Sequence, residues 1–214
     1  VSVVSVAVYL VFFSTEPLPT AAEIALLNVE ATQDLAEFCP FLAASDDQYY
    51  GTAQRSELRD ELENPSSDNY SWFVGTHVVV AADYLRFGET DEAVRVLTEA
   101  LDVQPWGDPQ GTYRARLLEE LSIAYLKMGE LDNCISPTGA LICMLPLENS
   151  VAHTNRTGSE NAVAHLLELL EMQPGNIRAR WLLNVAHMTL GTYPSEVPAE
   201  YLVSPSSLRG DYDI

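Results

Sequence analysis

Apolar residues recur three or four positions apart through most of residues 21–190, which is the period of an α-helix with one buried face. The first such stretch covers residues 21–38, and Pro40 is predicted to end it because proline lacks the amide hydrogen that a helix uses. A short charged helix is predicted over residues 54–63, and residues 64–67 follow as a loop. The pattern therefore predicts an all-α fold.

Residues 74–105 contain two helical stretches separated by a glycine. Gly88 stands where a turn with positive φ is predicted, a conformation that glycine adopts at little cost. The spacing resembles the tetratricopeptide repeat, a pair of helices of about 34 residues that ends near a proline. We therefore expect a solenoid of helical hairpins. The residues at the signature positions are Tyr84, Gly88, Ala93, Leu97, Ala100 and Pro105.

A second repeat begins at Arg116 with the sequence RLLEELSIAYLKMG. Gly129 takes the place of Gly88, so a turn is predicted there. The second helix of this repeat is predicted to start at Leu131, where Pro137 soon interrupts it.

The helical pattern resumes at Glu160, so residues 136–157 are predicted to be an insertion within one repeat that emerges as a surface loop. A last helix over residues 178–190 is predicted to cap the array. The residues that match the repeat signature in this part of the chain are Leu121, Tyr125, Gly129, Ala162, Leu166, Pro174, Trp181 and Gly191.

Two segments resemble bacterial tetratricopeptide proteins related to cartilage acidic protein: HTNRTGSENAVAHLLELLEMQPGN and ARWLLNVAHMTLGTYPSEVPAEYL. The likeness covers residues 74–204 and rests on the Trp181-Leu182-Leu183-Asn184 core and on the Tyr193-Pro194 and Val197-Pro198 pairs. In that family the helices lead into an FG-GAP β-propeller and a UnbV-type domain. This sequence has no Asp-x-Asp-x-Asp-Gly calcium loop, so nothing of the propeller is carried over. The resemblance implies an exported bacterial protein with a helical-repeat binding module.

The first 13 residues are uncharged and rich in β-branched and aromatic side chains. This arm is too short to span a bilayer as a helix and too apolar to lie in water. Three interpretations stay open: burial against a neighbouring subunit as a strand or a helix, packing within its own chain, or the remnant of a secretion signal or membrane anchor. The apolar side chains of the arm are Val1, Val3, Val4, Val6, Val8, Tyr9, Leu10, Val11, Phe12 and Phe13.

These patterns divide the chain into three parts. Residues 1–20 are the apolar arm and a proline-containing linker, residues 21–193 are the helical-repeat domain, and residues 194–214 are a Pro/Ser-rich tail. We expect the tail to be irregular and to lie on the surface.

The charge of the chain is strongly negative, with 31 acidic against 11 basic residues and a formal net charge of -20. Such a surface repels nucleic acids and anionic membranes. No zinc-protease, P-loop, dinucleotide-binding or nucleophile-elbow motif occurs, and paired carboxylates such as Glu119-Glu120 are interpreted as a solvated helix face. His77 and His187 are interpreted as core or groove-lining residues. We therefore expect no enzymatic activity, no cofactor and no metal site.

Three cysteines are present. Cys134 and Cys143 flank the Pro/Gly-containing residues 136–139, and two interpretations stay open: a disulfide-closed loop in an oxidising compartment, or two buried thiols. Cys39 has no obvious local partner and is predicted to be a buried free thiol.

Two sequons, beginning at Asn69 and Asn155, fall in predicted loops and are candidates for N-glycosylation. Ser66 and Ser67 are candidates for O-linked glycans.

These observations lead to one functional hypothesis and one alternative. The first is a non-enzymatic extracellular module that assembles with its own copies, as a subunit of a glycosylated surface filament whose N-terminal arm is buried in the neighbouring subunit. The alternative is an exported monomeric adaptor that binds another protein or peptide in its concave groove.

Overall fold

The fold is all α-helical, as the sequence pattern predicted. The computed structural model describes residues 21–45, 51–103, 108, 110–134 and 152–208, and these contain seven α-helices and no strand. None of the helices in these ranges is both long enough and apolar enough to cross a membrane. The helices are α1 (Ala21–Ala43), α2 (Arg55–Glu63), α3 (Tyr70–Arg86), α4 (Thr90–Asp102), α5 (Thr112–Cys134), α6 (Thr157–Met172) and α7 (Ile177–Thr189), and a 3-10 turn (Pro205–Leu208) follows.

The chain forms two compact units that divide between Gln54 and Arg55. Helix α1 belongs to the first unit. It runs to Ala43, so the prediction that Pro40 ends it is wrong. Proline removes one backbone hydrogen bond only, and here it stands in the last turn, where Ala44 still donates its amide hydrogen to the Pro40 carbonyl at 3.1 Å.

The second unit holds the other six helices, each packed against the next along the chain. Helix α5 also packs directly against α3 and α7. Its residues Leu117 and Leu121 lie in a buried apolar cluster with α3 and α4, whereas its Ala115 and Leu118 lie in a second cluster with α6 and α7. Helix α5 is therefore buried on two faces and joins the two halves of the core.

Helices α3 and α7 end in the same way. Gly88 has a φ of 75° and Gly191 a φ of 70°. After α3, Gly88 donates its amide hydrogen to the Leu85 carbonyl and Glu89 donates to the Tyr84 carbonyl, and the same pair of bonds recurs around Gly191. This is the Schellman ending, in which a glycine with positive φ satisfies the last carbonyls of a helix.

Gly129 does not form a turn, so that prediction is wrong. It lies inside α5, without a positive φ, at the place where α6 crosses. A Cβ atom on Gly158 of α6 would lie 2.6 Å from the Gly129 nitrogen and 2.5 Å from the Tyr125 carbonyl oxygen. The two glycines let the helix backbones touch. The role of Gly129 is therefore to permit this helix crossing and not to form a turn.

The predicted boundaries of the insertion also need correction. Helix α5 continues to Cys134 and α6 begins at Thr157, so the insertion lies between two complete helices and its last residue is already helical. Residues 135–151, which form most of it, lie outside the described residues.

The tail beyond α7 is irregular, but its first part is held closely against that helix. Asn184 of α7 is fully buried, donates to the Tyr201 carbonyl at 2.9 Å and accepts from the Val203 amide at 2.9 Å. Arg180 donates to the Tyr201 carbonyl at 3.0 Å, and Val197 is buried. The tail thus covers part of α7.

The glycine contact between α5 and α6 gives a test of this packing. We expect Gly158→Ala to lower the free energy of unfolding by about 2 kcal/mol or more, because the new methyl group meets backbone atoms that cannot move aside. Gly75→Ala is the matched control, since a Cβ there meets nothing within 4 Å and alanine favours a helix by about 0.5–1 kcal/mol. Urea denaturation followed by circular dichroism measures both, and equal stabilities for the two variants would contradict the described crossing.

Candidate protein-interaction groove

An apolar groove of about 410 Å³ lies on the second unit, between α2, α3 and α5. Trp72, Gly75 and Val79 of α3 form one stripe along it. Leu58 of α2 borders one side, and Arg116 of α5 borders the groove as well. A groove of this size and composition falls in the range of sites that hold side chains of a ligand.

This stripe exists because α3 has two faces. Val74, Val78 and Ala81 are buried in the core, and residues 72, 75 and 79 repeat on another side of the helix at the same helical period. Trp72 remains 49% exposed and Val79 remains 50% exposed. Large apolar side chains that stand together in solvent mark interaction sites in soluble proteins.

The indole of Trp72 is fixed in orientation. Its Nε1 atom donates a hydrogen bond of 2.7 Å to Glu61 of α2. Glu61 also accepts hydrogen bonds from the backbone and the hydroxyl of Ser66, both at 2.8 Å. The hydrogen bond from Trp72, followed by those from Ser66, lowers the pKa of the Glu61 carboxyl, so this acid stays ionised and keeps the ring in place.

Arg55 holds α2 against the end of α3. Its guanidinium contacts Asp83 at 2.7 Å and Glu89 at 2.8 Å, and it lies over the Phe87 ring at 4.4 Å from the centroid. The hydrogen bond to Glu89 is the main cause of the raised pKa of Arg55. This contact fixes the angle between the two helices that form one side of the groove.

Arg116 gives the groove its positive charge. It forms no salt bridge with another described residue, whereas Arg178 pairs with Glu119 at 2.8 Å. On the same helix, burial raises the pKa of the Glu120 carboxyl, and the charge of Arg178 opposes this rise more strongly than that of Arg116. The groove lining therefore combines apolar side chains with one positive group, Arg116, and one negative group, Glu61.

A second cluster of polar side chains lies deep in the fold. The His153 Nδ1 atom lies 3.2 Å from the Ser159 hydroxyl, and that hydroxyl lies 2.8 Å from the Thr189 hydroxyl. The His153 Nε2 atom lies 3.6 Å from the sulfur of Cys134. Ser159 is fully buried, and the cluster joins α5, α6 and α7.

The other histidines also serve as packing residues. His77 is buried against Phe73, with ring centroids 4.1 Å apart, and His165 stacks on Tyr125 at 5.6 Å. His187 is buried and contacts the Thr192 hydroxyl at 2.7 Å. Burial lowers the pKa of all four histidines of the chain, so they are neutral near pH 7.

The described repeat-signature residues fall into buried and exposed groups. Trp181 is 43% exposed, whereas the neighbouring Leu183 and Asn184 are fully buried. Pro174 is exposed, and Pro105 and the whole N-terminal arm lie outside the described residues. The buried members are Tyr84, Ala93, Leu97, Ala100, Leu121, Gly129, Ala162 and Leu166.

The cysteines differ from the sequence prediction at one position. Cys39 is a free thiol, but it is exposed rather than buried. Cys134 is disulfide-bonded. Cys143 lies outside the described residues, so its pairing stays a prediction.

Both sequons stand at helix starts rather than in open loops. Asn69 caps α3 by accepting the Ser71 amide hydrogen at 2.8 Å, and Asn155 donates to Asp132 at 2.9 Å just before α6. Both asparagines are exposed. Ser66 donates its hydroxyl to Glu61, and the Ser67 hydroxyl accepts from the Asn69 amide at 3.2 Å. Glycosylation at any of them stays a prediction.

Trp72, Val79 and Arg116 were not predicted from the sequence as residues of a binding site. The sequence does place Trp72 and Val79 on one side of α3, at a helical spacing that differs from that of the buried residues. Only the fold shows that α5 brings Arg116 to the same groove. No protein-family model, curated protein or solved structure matches this chain.

The raised pKa of Glu120 on α5 can be tested by substitution. We expect Glu120→Gln to raise the melting temperature at pH 7, because the folded state disfavours the ionised form of Glu120. The gain shrinks as the pH falls through the raised pKa of Glu120, and it is gone below the ordinary value of 4.5. Calorimetry between pH 4 and pH 8 measures this.

Glu119→Gln is the matched control for that prediction. It removes the 2.8 Å ion pair with Arg178, so it leaves the melting temperature at pH 7 unchanged or lowers it. Equal losses of stability in the two variants would show that Glu120 is not placed as described.

Proposed function

We propose that this chain is a non-enzymatic protein-interaction module that assembles with its own copies, built as a tetratricopeptide-like solenoid. The observation that carries the proposal is the groove on α2, α3 and α5, where Trp72 and Val79 are half exposed beside Arg116. Burial of such a patch against a partner releases free energy in proportion to the apolar area covered.

The helix contacts support the solenoid arrangement. Helix α5 touches both α3 and α7 directly, whereas α4 and α6, both within the described ranges, do not touch each other. Helical hairpins stacked side by side give this pattern, with one set of helices on the inner layer and the other on the outer layer. The inner layer of such a stack is concave, and the α3 and α5 residues of the groove belong to this set.

Self-assembly is favoured over a purely heterologous adaptor by the composition of the N-terminal arm. Residues 1–13 are uncharged in a chain of net charge -20, and they need cover from water. A neighbouring copy can bury this arm, and each copy then supplies one arm and one surface that receives an arm. A head-to-tail contact of this kind that does not close into a ring produces a filament.

Export and glycosylation complete the proposal and rest on the sequence. The likeness to exported bacterial helical-repeat proteins and the two exposed sequon asparagines support a place on the cell surface or outside the cell. Mass spectrometry of the native protein is the direct test of glycans at Asn69 and Asn155.

Deletion of residues 1–13 tests the assembly. We expect the shortened chain to keep its helical circular dichroism and to remain monomeric at concentrations where the full chain forms oligomers, because the proposed contact depends on the apolar side chains of the arm. Sedimentation velocity measures both. The control replaces Ile177, which is 82% exposed on α7, with glutamine, and this variant should assemble like the wild type.

Two outcomes decide the proposal. Unchanged oligomer size after the deletion would reject the role of the arm. A full-length chain that stays monomeric at every concentration would reject self-assembly and favour the adaptor that binds another polypeptide in the groove.

A further inference from the structure

Two buried histidines connect the end of α7 to α6 and to the C-terminal tail. His153, which precedes α6, donates its backbone amide hydrogen to the Thr189 carbonyl at 2.8 Å. The His187 carbonyl of α7 accepts the backbone amide hydrogens of Thr192 and Tyr193 at 2.9 and 3.1 Å. Both histidines are only 6% exposed. They therefore stand where α6 and the tail meet α7.

The hydrogen bonds of its neighbours fix which nitrogen of His153 carries the proton. The Thr189 hydroxyl donates its only hydrogen to the Ala186 carbonyl at 2.8 Å. The Ser159 hydroxyl, 2.8 Å from that of Thr189, is therefore the donor between the two. Because Ser159 then has no hydrogen left for the ring, the His153 Nδ1 atom donates to Ser159 over 3.2 Å and Nε2 carries a lone pair.

Neither ring has an oxygen acceptor for a second N–H group among the described residues. The His153 Nε2 atom faces the sulfur of Cys134 at 3.6 Å, and a disulfide sulfur is a weak acceptor. The His187 Nδ1 atom lies 2.7 Å from the Thr192 hydroxyl, but its buried Nε2 atom has no hydrogen-bond partner in the described part of the chain. Since a protonated histidine donates from both nitrogens, protonation of either ring leaves a buried, charged N–H group without a good acceptor.

The nearest carboxylates do not compensate for this burial. Glu130 of α5 favours a proton on His153, and Glu196 of the tail favours a proton on His187. Burial is the larger effect at both rings, so the pKa of each imidazole is lowered.

The other charges around this end of α7 do not favour protonation either. Glu160 of α6 is already paired with Arg156 at 2.8 Å, and Arg156 also donates to the carbonyl that follows α7 at 3.0 Å. Asp132 near the end of α5 is exposed to solvent. The two arginines of α7, Arg178 and Arg180, stand in its first turn, away from its C-terminal end.

Helix α3 has the same kind of ending without a histidine. Glu89 donates its amide hydrogen to the Tyr84 carbonyl at 2.9 Å, as Thr192 donates to the His187 carbonyl. Tyr84 therefore stands where α7 has His187. A phenol stays neutral through the acidic range. The two endings share their backbone hydrogen bonds and differ in whether the side chain can take up a proton.

We propose that His153 and His187 form an acid-sensitive latch, which holds α6 and the tail against α7 while both rings are neutral and releases them when the rings take up protons. Tyr201 of the tail packs on the second apolar cluster, so release of the tail uncovers apolar surface at this end of the unit. The stabilisation is fully present above the ordinary histidine pKa of 6.5. It is lost as the pH falls from there toward the lowered pKa of each ring.

Hydrogen exchange of the full chain at pH 7.5 and pH 5.0, followed by mass spectrometry, tests the latch. Peptides covering residues 190–204 contain the Thr192 and Val203 amides, and peptides covering residues 85–92 contain the matched Glu89 amide. Each histidine that is neutral when closed and protonated when open raises the opening constant by about tenfold per pH unit below 6.5. After correction for the intrinsic exchange rate, we expect protection of residues 190–204 to fall by at least about tenfold, and that of residues 85–92 to change much less.

The double variant His153→Asn, His187→Asn removes the titration. Asparagine keeps a short side-chain donor near the place of Nδ1 but does not take up a proton in this range. We expect its protection at residues 190–204 to be nearly equal at the two pH values. His77→Asn is the matched control, because His77 is also buried but lies in α3, so this variant should keep the wild-type loss.

Three outcomes would overturn the latch: no loss of protection at residues 190–204, an equal loss at residues 85–92, or a loss that persists in the double variant. The first two are measured on the wild-type chain, so they decide the proposal even if the double variant does not fold.

Discussion

Helix α5 must bury two faces at once, and the rest of the second unit follows from this constraint. Its Leu121 face needs α3 and α4, and its Leu118 face needs α6 and α7, so neither half of the unit completes its core without the other. The contact between Gly129 and Gly158 then sets how closely α6 approaches. Because close-packed interiors tolerate little change in volume, these two contacts fix the order and spacing of the helices.

The groove is a consequence of the same stacking. Helix α3 buries one face in the core, Arg55 holds α2 at its end, and α5 brings Arg116 alongside. The half-exposed Trp72 and Val79 lie between them, and the Glu61 carboxylate keeps Trp72 in one orientation. Rigid helices thus present a fixed surface, which reduces the conformational entropy that a partner must overcome on binding.

The local sequence pattern was enough to predict the helices whose apolar faces pack on their neighbours along the chain. It predicted the all-α class and placed glycines at the two Schellman endings. It failed at Gly129, because a glycine that permits a helix crossing and a glycine that makes a turn look alike in sequence. It failed at Cys39 as well, because sequence alone does not say which face of a helix a neighbour covers. The groove combines residues from three helices, so no single stretch of sequence contains it.

The central claim is that the Trp72 groove is the surface through which this chain binds a partner. The direct measurement is acrylamide quenching of Trp72 fluorescence in the Trp106→Phe, Trp181→Phe variant, which retains one of the three tryptophans. Over a concentration series that takes the protein from monomer to oligomer, we predict a blue shift of the emission and a loss of quenching. Emission and quenching that stay constant while oligomers form would contradict the claim.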